Sequence, residues 1–291
     1  MNRCGAFSGF TNRAETSSNA NTMFGRVLRL YLTEMAKTWR TKFPWLGLAA
    51  SALMALVARQ SVMEGGSPGQ MTAAVYFTTS MNVAATVIVP VFSVIFGAML
   101  VAGESTRGTV RTLLVRPITR WDFLTSKLLM GATYTILLLA VNALAALPIA
   151  SGYPLKTAFD ESVQIPGAME QVRLFLAAMS LSLLPQLATM CFGFCISVLS
   201  ANVATSVGVA AGMWLTLQPV KEFIRFGRFE LADWLFLNYY DAAMKVANDK
   251  AGGMYEMFNQ HSIHMLTGTS VVAILGFIAL SYFVFIRRDL N

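Results

Sequence analysis

Residues 104–127 read Glu-Ser-Thr-Arg-Gly-Thr-Val-Arg-Thr-Leu-Leu-Val-Arg-Pro-Ile-Thr-Arg-Trp-Asp-Phe-Leu-Thr-Ser-Lys, a short basic block between two long apolar runs. Val110, Leu113 and Leu114 recur at i, i+3 and i+4, the spacing of a helix with one narrow apolar stripe. Arg107 and Arg111 lie on a different face of that helix. The stretch therefore predicts a short amphipathic helix that docks on a surface.

This helix is expected to end at Pro117, which has no backbone N–H and disfavours helical geometry in the residue before it. Thr119 and Asp122 follow with the spacing of a helix cap, in which the Thr oxygen accepts an N–H from the first turn. The chain would then return into the membrane. An ordinary basic loop, held near the bilayer by its charge, is the alternative that these residues leave open.

The composition of the chain is that of a membrane protein. Its 291 residues are 55% hydrophobic and 13% charged, whereas a soluble domain carries about a quarter charged residues. The net charge of +7 is therefore interpreted through its distribution along the spans, and a nucleic-acid partner is not expected. Residues 1–22 lack an apolar core, so they predict a disordered cytoplasmic tail and no secretory signal.

Six segments are long and apolar enough to cross a bilayer as helices. The predicted spans are 44–62, 74–103, 128–150, 172–199, 203–220 and 263–286. Pro90 and Pro185 lie inside the second and fourth spans, where tilting or kinking is expected. The uncharged turn at 200–202 predicts a tight hairpin between the fourth and fifth spans.

An amphipathic helix is predicted before the first span, over residues 23–43. Its apolar residues have helical spacing, and its basic residues form a second face; the two sets are Met23, Val27, Leu30, Tyr31 and Met35, and Arg26, Arg29, Lys37 and Arg40. This pattern is typical of a helix that lies on the inner leaflet.

The distribution of Lys and Arg predicts the orientation of the spans. With the N-terminus in the cytoplasm, 14 of the 22 basic residues and only five of the 15 acids lie on the inner side. Positive residues accumulate on cytoplasmic segments, so the chain is expected to have both termini inside. The longest outer segment, 221–262, is rich in aromatic residues and predicts amphipathic helices on the outer membrane surface.

The order of residues in 104–127 resembles the coupling segment of bacterial type-2 ATP-binding-cassette exporter permeases. In that family a Glu…Gly-Thr…Leu-Leu…Pro-(Val/Ile)-(Ser/Thr)-Arg…Lys run follows the second span. The residues expected to couple to an ATPase are Glu104, Arg107, Gly108, Thr109, Val110, Arg111, Leu113, Leu114, Arg116, Pro117 and Arg120, with Lys127 closing the run.

The resemblance implies a permease domain over 44–291 that pairs with a second permease and with a separate cytoplasmic ATPase. It also implies a substrate path lined by the second and fifth spans, and an extracellular lid in 221–262. Candidate path residues are Asn82, Thr86, Phe92, Met213, Trp214 and Thr216. Ala204, Gly208 and Gly212 form a small-residue face that suits either internal packing or a subunit contact.

The chain is not expected to be an enzyme, and no cofactor or metal is expected in it. It has no Gly-x-x-x-x-Gly-Lys-(Ser/Thr) loop, so ATP and Mg²⁺ would be bound by the partner subunit. His261 and His264 are spaced as two possible metal ligands, but a third ligand is missing and interfacial histidines are the favoured interpretation. Cys191 and Cys195 predict packing residues.

The expected function is therefore that of the membrane-spanning subunit of an ATP-driven exporter in the bacterial inner membrane. Its uncharged lining indicates an amphiphilic cargo, such as a drug, a peptide antibiotic or a lipid. Two alternatives remain, an ion-coupled secondary transporter and a non-transporting scaffold or maturation component. The spans contain almost no ionisable residues, which argues against ion coupling.

Overall fold

The structure is a computed structural model that describes residues 23–65, 72–106, 119–154, 167–223, 225–226, 229–251 and 260–287. The predicted tail at 1–22 and residues 107–118, which include most of the predicted docking helix, lie outside the described residues.

The described chain is a helical bundle. Its helices are α1 (Met23–Trp39), α2 (Lys42–Gly65), α3 (Ala73–Thr106), α4 (Arg120–Ala150), α5 (Ala168–Leu199), α6 (Val203–Phe223), α7 (Leu231–Trp234), α8 (Ala242–Ala251) and α9 (Gln260–Arg287). A 3-10 turn covers Phe236–Tyr239, and the two-residue strands β1 (Arg225–Phe226) and β2 (Phe229–Glu230) pair in an antiparallel hairpin.

Five of these helices, α3, α4, α5, α6 and α9, are each long and apolar enough to cross a membrane. The first predicted span, in α2, reaches that standard only together with α1, and the two helices meet at an angle of 75°. The predicted all-α class with about six spans is thus confirmed. The bend is the geometry expected of an interfacial helix that precedes a span.

Helix α3 contains a local π-helical turn over Ala84–Ile88, just before Pro90. Val89 donates its N–H to the Ala84 carbonyl, five residues back, so the hydrogen-bond register shifts just before the proline. The amide Nε2 of Gln186, in α5, donates to the Ala85 carbonyl at 2.6 Å. A neighbouring helix therefore satisfies a carbonyl in the π turn, while Pro185 lies within the unbroken helix α5.

Helix α5 lies at the centre of the bundle. Of its apolar stretch, 78% is buried inside the protein, compared with 17% for α6 and for α9. α5 packs against α3 at backbone distance through Gly97 and Gly193. A Cβ on Gly193 would lie 2.3 Å from the Val94 carbonyl oxygen, and a Cβ on Gly97 would lie 2.5 Å from that of Met190. Only glycine allows this close approach.

The described residues 236–247, between α6 and α9, pack into the bundle, which corrects the expectation that these helices rest on the membrane surface. Tyr240 is buried, its hydroxyl lies 2.6 Å from the Thr189 hydroxyl, and it accepts a hydrogen bond from Trp214 Nε1 at 3.0 Å. Burial raises the pKa of the Tyr240 phenol, while these two hydrogen bonds oppose the shift. Aromatic spacing indicated amphipathic helices, but not that the bundle would bury their apolar side.

The turn at 200–202 joins α5 to α6 directly, as the sequence predicted. Asn202 Oδ1 accepts the backbone N–H of Thr205 at 2.9 Å, the contact of an N-terminal cap on α6. Ser206 in the first turn of α6 also donates to the Ala98 carbonyl of α3 at 2.8 Å. The hairpin is therefore fixed to α3 near the end from which 107–118 departs.

Candidate functional site

The described residues on either side of 107–118 form the candidate coupling site. On the far side, the predicted cap of α4 is confirmed as a capping box: Thr119 Oγ1 accepts the Asp122 N–H at 3.1 Å, and Asp122 Oδ2 accepts the Thr119 N–H at 3.3 Å. The chain that returns from 107–118 thus enters α4 in a fixed direction.

Glu104, near the end of α3, and Lys127, in the second turn of α4, form a buried ion pair. Their Oε1 and Nζ atoms are 3.3 Å apart, and the two residues are only 4% and 2% exposed. Helix α1 completes the cluster: Lys127 Nζ lies 2.5 Å from Glu34 Oε2, and Lys37 donates to Glu104. Three helices are therefore joined where the coupling segment leaves and re-enters the bundle.

A second ion pair holds the start of α4. Arg26 of α1 donates through Nε to Asp122 Oδ2 at 3.0 Å, and Asp122 is fully buried. Arg26, Glu34, Lys37, Glu104, Asp122 and Lys127, here called the charge cluster, contain three acids and three bases. Glu104, Asp122 and Lys127 are buried, and buried charges need partners of opposite sign such as the others supply.

The charge cluster adds protein contacts to the predicted amphipathic helix α1. Arg26 and Lys37, two of the four residues of its predicted basic face, are both bound to carboxylates of the protein. The surface that α1 leaves open carries both apolar and basic side chains, since Phe24, Leu32 and Arg29 are all exposed. Tyr31 adds a further contact with α4, its hydroxyl lying 2.9 Å from that of Thr133.

Arg120 was predicted to couple to an ATPase, and in the structure it contacts the last helix. Its Nη1 donates to the carbonyls of Ile286 at 2.7 Å and Phe285 at 3.3 Å, near the end of α9. A cation there complements the helix dipole. Trp121 stacks on Tyr282 with ring centroids 4.6 Å apart, so the start of α4 is joined to the end of α9.

Thr106, the last residue of α3, accepts the Val203 N–H on its hydroxyl at 3.1 Å. This contact joins the end of α3 to the first residue of α6. Both flanks of 107–118 are thus attached to helices distant in sequence. Of the predicted coupling residues, the structure places Glu104 and Arg120; the other nine lie outside the described residues.

The predicted path residues do not share one surface within the chain. Trp214 is buried and bonded to Tyr240, whereas Met213 is 48% exposed and Thr216 is exposed on the other side of α6. Phe92 faces α2, with its ring centroid 5.6 Å from that of Phe43.

Asn82 and Thr86 lie on successive turns of α3, both partly buried, and the Thr86 hydroxyl donates to the Asn82 carbonyl at 2.8 Å. Their assignment to a cargo path stays a prediction.

The small-residue face of α6 is open. Ala204, Gly208 and Gly212 are all exposed, and a Cβ on either glycine would meet no atom within 4 Å. The described residues therefore do not pack against this face from within the chain, although internal packing was one of its two expected uses. The face points towards lipid or towards another chain.

The two histidines and the two cysteines of the spans carry no site that the structure reveals. His261 and His264 are exposed on the first turns of α9, and the described residues include no group of three potential ligands that could hold a metal ion. Cys191 and Cys195 are buried in the core, as predicted for packing residues.

Sequence reasoning missed the three α1 residues of the charge cluster as partners of the coupling segment. Glu34 is the one acid within the predicted amphipathic helix, and it lies three residues before Lys37. An acid on an otherwise basic membrane helix is the signal that would have indicated a protein partner, because lipid phosphates repel it.

The sequence model of one protein family, described as ABC-2 family transporter protein, matches residues 28–290. The match begins in α1 and includes every described span together with the coupling segment. No curated protein matches the chain.

Proposed function

Because this chain belongs to the ABC-2 family of transporter permeases, we propose that it is the membrane-spanning subunit of an ATP-driven exporter for an amphiphilic cargo. A separate cytoplasmic ATPase subunit would bind ATP and Mg²⁺ and dock on the coupling segment. The site of action would be the bacterial inner membrane, with both termini in the cytoplasm.

The observation that carries this proposal is the charge cluster. Ion pairs on both flanks of 107–118 hold the ends of α3 and α4 against α1, and the pair between Glu104 and Lys127 is buried. Removing one partner of such a pair costs about 3–5 kcal/mol, so the two flanks resist separation. A force applied to 107–118 would therefore move α1, α3 and α4 together.

The proposed cycle follows from this connection. Closure of the ATPase dimer would push the docking helix, and α3 would tilt against α6, to which it is joined through Thr106 and Ser206. The movement would open an apolar path outward between two permease subunits, and release of ADP would reset it. The path has no ionised lining among the candidate residues, which suits an amphiphilic molecule.

A second permease copy or a homologous permease is the proposed partner within the membrane. The open face at Ala204, Gly208 and Gly212 supports this, because small residues let two helices approach closely. Replacing both glycines with Leu is expected to abolish interchain crosslinking through α6. If the double variant crosslinks and sediments like the parent, the dimer contact lies elsewhere.

The docking helix can be tested by two substitutions in the chain co-expressed with its ATPase. Leu113→Asp removes an apolar contact of about 1.5–3 kcal/mol and adds an unpaired charge. Arg107→Gln removes a rim pair that contributes only about 0–1 kcal/mol. We expect the Leu113→Asp permease to insert and to pair, but to lose its ATPase and its transport, whereas Arg107→Gln retains both.

If Arg107→Gln loses the ATPase in copurification while Leu113→Asp retains it, the docking helix does not bind through its apolar stripe. If neither variant has an effect, residues 107–118 are only a basic loop. The other functional classes have their own readouts in liposomes. Transport by the purified chain under an ion gradient alone would identify a secondary transporter. Binding of the ATPase without any cargo-stimulated ATP hydrolysis would identify a scaffold.

The orientation has an independent test. Tags at residue 10 and at residue 291 are expected to be cytoplasmic, and a tag at Gly252 external. Labelling of either terminus from outside the cell would contradict the proposed placement of the coupling segment and, with it, the ATPase side.

A further inference from the structure

A cavity lies at the opposite end of the bundle from the charge cluster. It is a groove of about 720 Å³ between the start of α3, the end of α4 and the start of α5. Its existence follows from the sequence, because small side chains occupy the places where α3 and α4 would otherwise fill the space. These are Ala73, Ala74, Ala140, Ala143 and Ala150.

The groove is apolar along its length and polar only near the helix ends. Phe77, Phe175 and Met179 line its inner part. Ser151 and Gln171 lie at its outer part, where α4 ends and α5 begins, and neither carries a charge. The groove therefore offers a hydrocarbon-lined channel with hydrogen-bonding groups at one end.

The mouth of the groove belongs to the membrane-facing surface. Leu144 and Leu147 of α4 are 66% and 53% exposed, and Val172 and Leu176 of α5 are 52% and 62% exposed, although all four line the groove. Large apolar side chains on the outside of a spanning helix face hydrocarbon. The groove is thus continuous with the protein–lipid interface.

The depth of the groove matches one leaflet. From Ala150 to Ala140 the α4 helix rises about 15 Å, and from Gln171 to Met179 the α5 helix rises about 12 Å. The hydrocarbon core of a bilayer is about 30 Å thick, so one leaflet is about 15 Å. A channel of this depth, polar at the helix ends and apolar inside, has the shape and polarity of one lipid chain and its ester region.

We propose that this groove, here called the lipid groove, binds one acyl chain of a membrane phospholipid. The ester region would lie at Ser151 and Gln171 and the chain would run along the alanines towards Ala140. The site is distinct from the proposed cargo path at α3 and α6 and does not depend on the ATPase.

The test uses the full chain reconstituted in phosphatidylcholine vesicles that contain phosphatidylcholine with a photoreactive diazirine on one acyl chain. After irradiation and detergent extraction, we expect labelled peptides from 140–147 and 172–179. Ala140→Phe places a ring in the groove and should lower this labelling by about tenfold or more. Leu275→Phe, which enlarges an exposed membrane-facing side chain on α9, is the matched control and should label like the parent.

A second measurement separates a held lipid from ordinary contact with the bilayer. Native mass spectrometry after extraction should show one retained phosphatidylcholine per parent chain and per Leu275→Phe chain, and none in Ala140→Phe. Labelling that is spread evenly over α9 and the groove, or retention that Ala140→Phe leaves unchanged, would overturn the proposal.

Two other occupants give distinct results. If a photoreactive single-chain amphiphile labels the groove and the phospholipid does not, the groove admits cargo and holds no membrane lipid. If Leu176→Cys, in a chain with Cys4 replaced by Ser, forms an interchain disulfide, a second copy covers the groove. Either result would overturn the phospholipid proposal and leave the proposed exporter function intact.

Discussion

At one end of the α3–α4 pair, three carboxylates meet three cations across α1, α3 and α4; at the other end, the same two helices meet through alanines that leave a groove of about 720 Å³. Ion pairs with short buried contacts have one good geometry, because each charge must keep its partner. Dispersion contacts around an open groove can be rearranged at small cost. The packing of α3 against α4 is therefore fixed at the charged end and adaptable at the groove end.

The largest effect is expected from Lys127→Met, which keeps the length of the side chain but leaves Glu34 and Glu104 short of a cation. The expected cost is about 3–5 kcal/mol in the free energy of unfolding, measured by SDS titration in mixed micelles. Lys245→Met is the control, since the Lys245 side chain is 65% exposed and pairs with Asp241, just before α8, so its loss should cost about 0–1 kcal/mol. Equal costs for the two variants would mean that the charge cluster does not specify this end.

The next effect is expected at the contact between α3 and α5 that lies between the two ends. Gly193→Ala places a methyl group against the Val94 carbonyl and should cost about 1–3 kcal/mol by overpacking. Gly276→Ala is the matched control on α9, where a methyl group meets nothing, and it should be neutral or stabilising by up to about 1 kcal/mol. A Gly193→Ala chain as stable as the parent would show that α3 and α5 can separate freely.

A smaller loss is expected for Tyr240→Phe, which removes the hydrogen bonds to Thr189 and Trp214. Hydrogen bonds between membrane helices contribute about 0.6 kcal/mol on average and up to about 1.7 kcal/mol. Because burial raises the pKa of this phenol, its contribution is present below the ordinary tyrosine pKa and is lost as the pH rises above it. Tyr240→Phe should therefore flatten the alkaline fall in stability, and an unchanged alkaline curve would argue against a buried phenol.

The smallest effect is expected for Ala140→Leu, which adds volume inside the groove. The change should stay within about 0.5 kcal/mol, because the groove has room for the side chain. A loss near that of Gly193→Ala would mean that the groove end is as tightly specified as the middle, and the comparison between the two ends would fail.

The sequence was informative wherever one segment carries the whole signal. Five of the six spans follow from hydropathy alone, and the cap at Thr119 and Asp122 follows from two residues three apart. The hairpin turn at 200–202 is equally local. Each of these features needs only the helix period, the bilayer thickness or a backbone N–H to explain it.

The sequence was least informative where residues distant in the chain meet. Arg26 reaches Asp122 across 96 positions, and Lys37 reaches Glu104 across 67. Nothing in the period of α1 distinguishes a lysine that binds phosphate from one that binds a carboxylate. Burial of Tyr240 beside Thr189 is hidden for the same reason, and so is the donation from Gln186 to the π turn at Ala85.

The glycine contact between α3 and α5 has a mechanical consequence. Gly97 divides α3 into a short arm of about 14 Å, which ends at Thr106, and a long arm of about 36 Å, which ends at Ala73. If α3 tilts as a rigid rod about Gly97, a displacement at Thr106 produces a displacement at Ala73 that is about two to three times larger and opposite in direction. A small displacement of α3 beside the charge cluster would therefore become a larger displacement at the lipid groove.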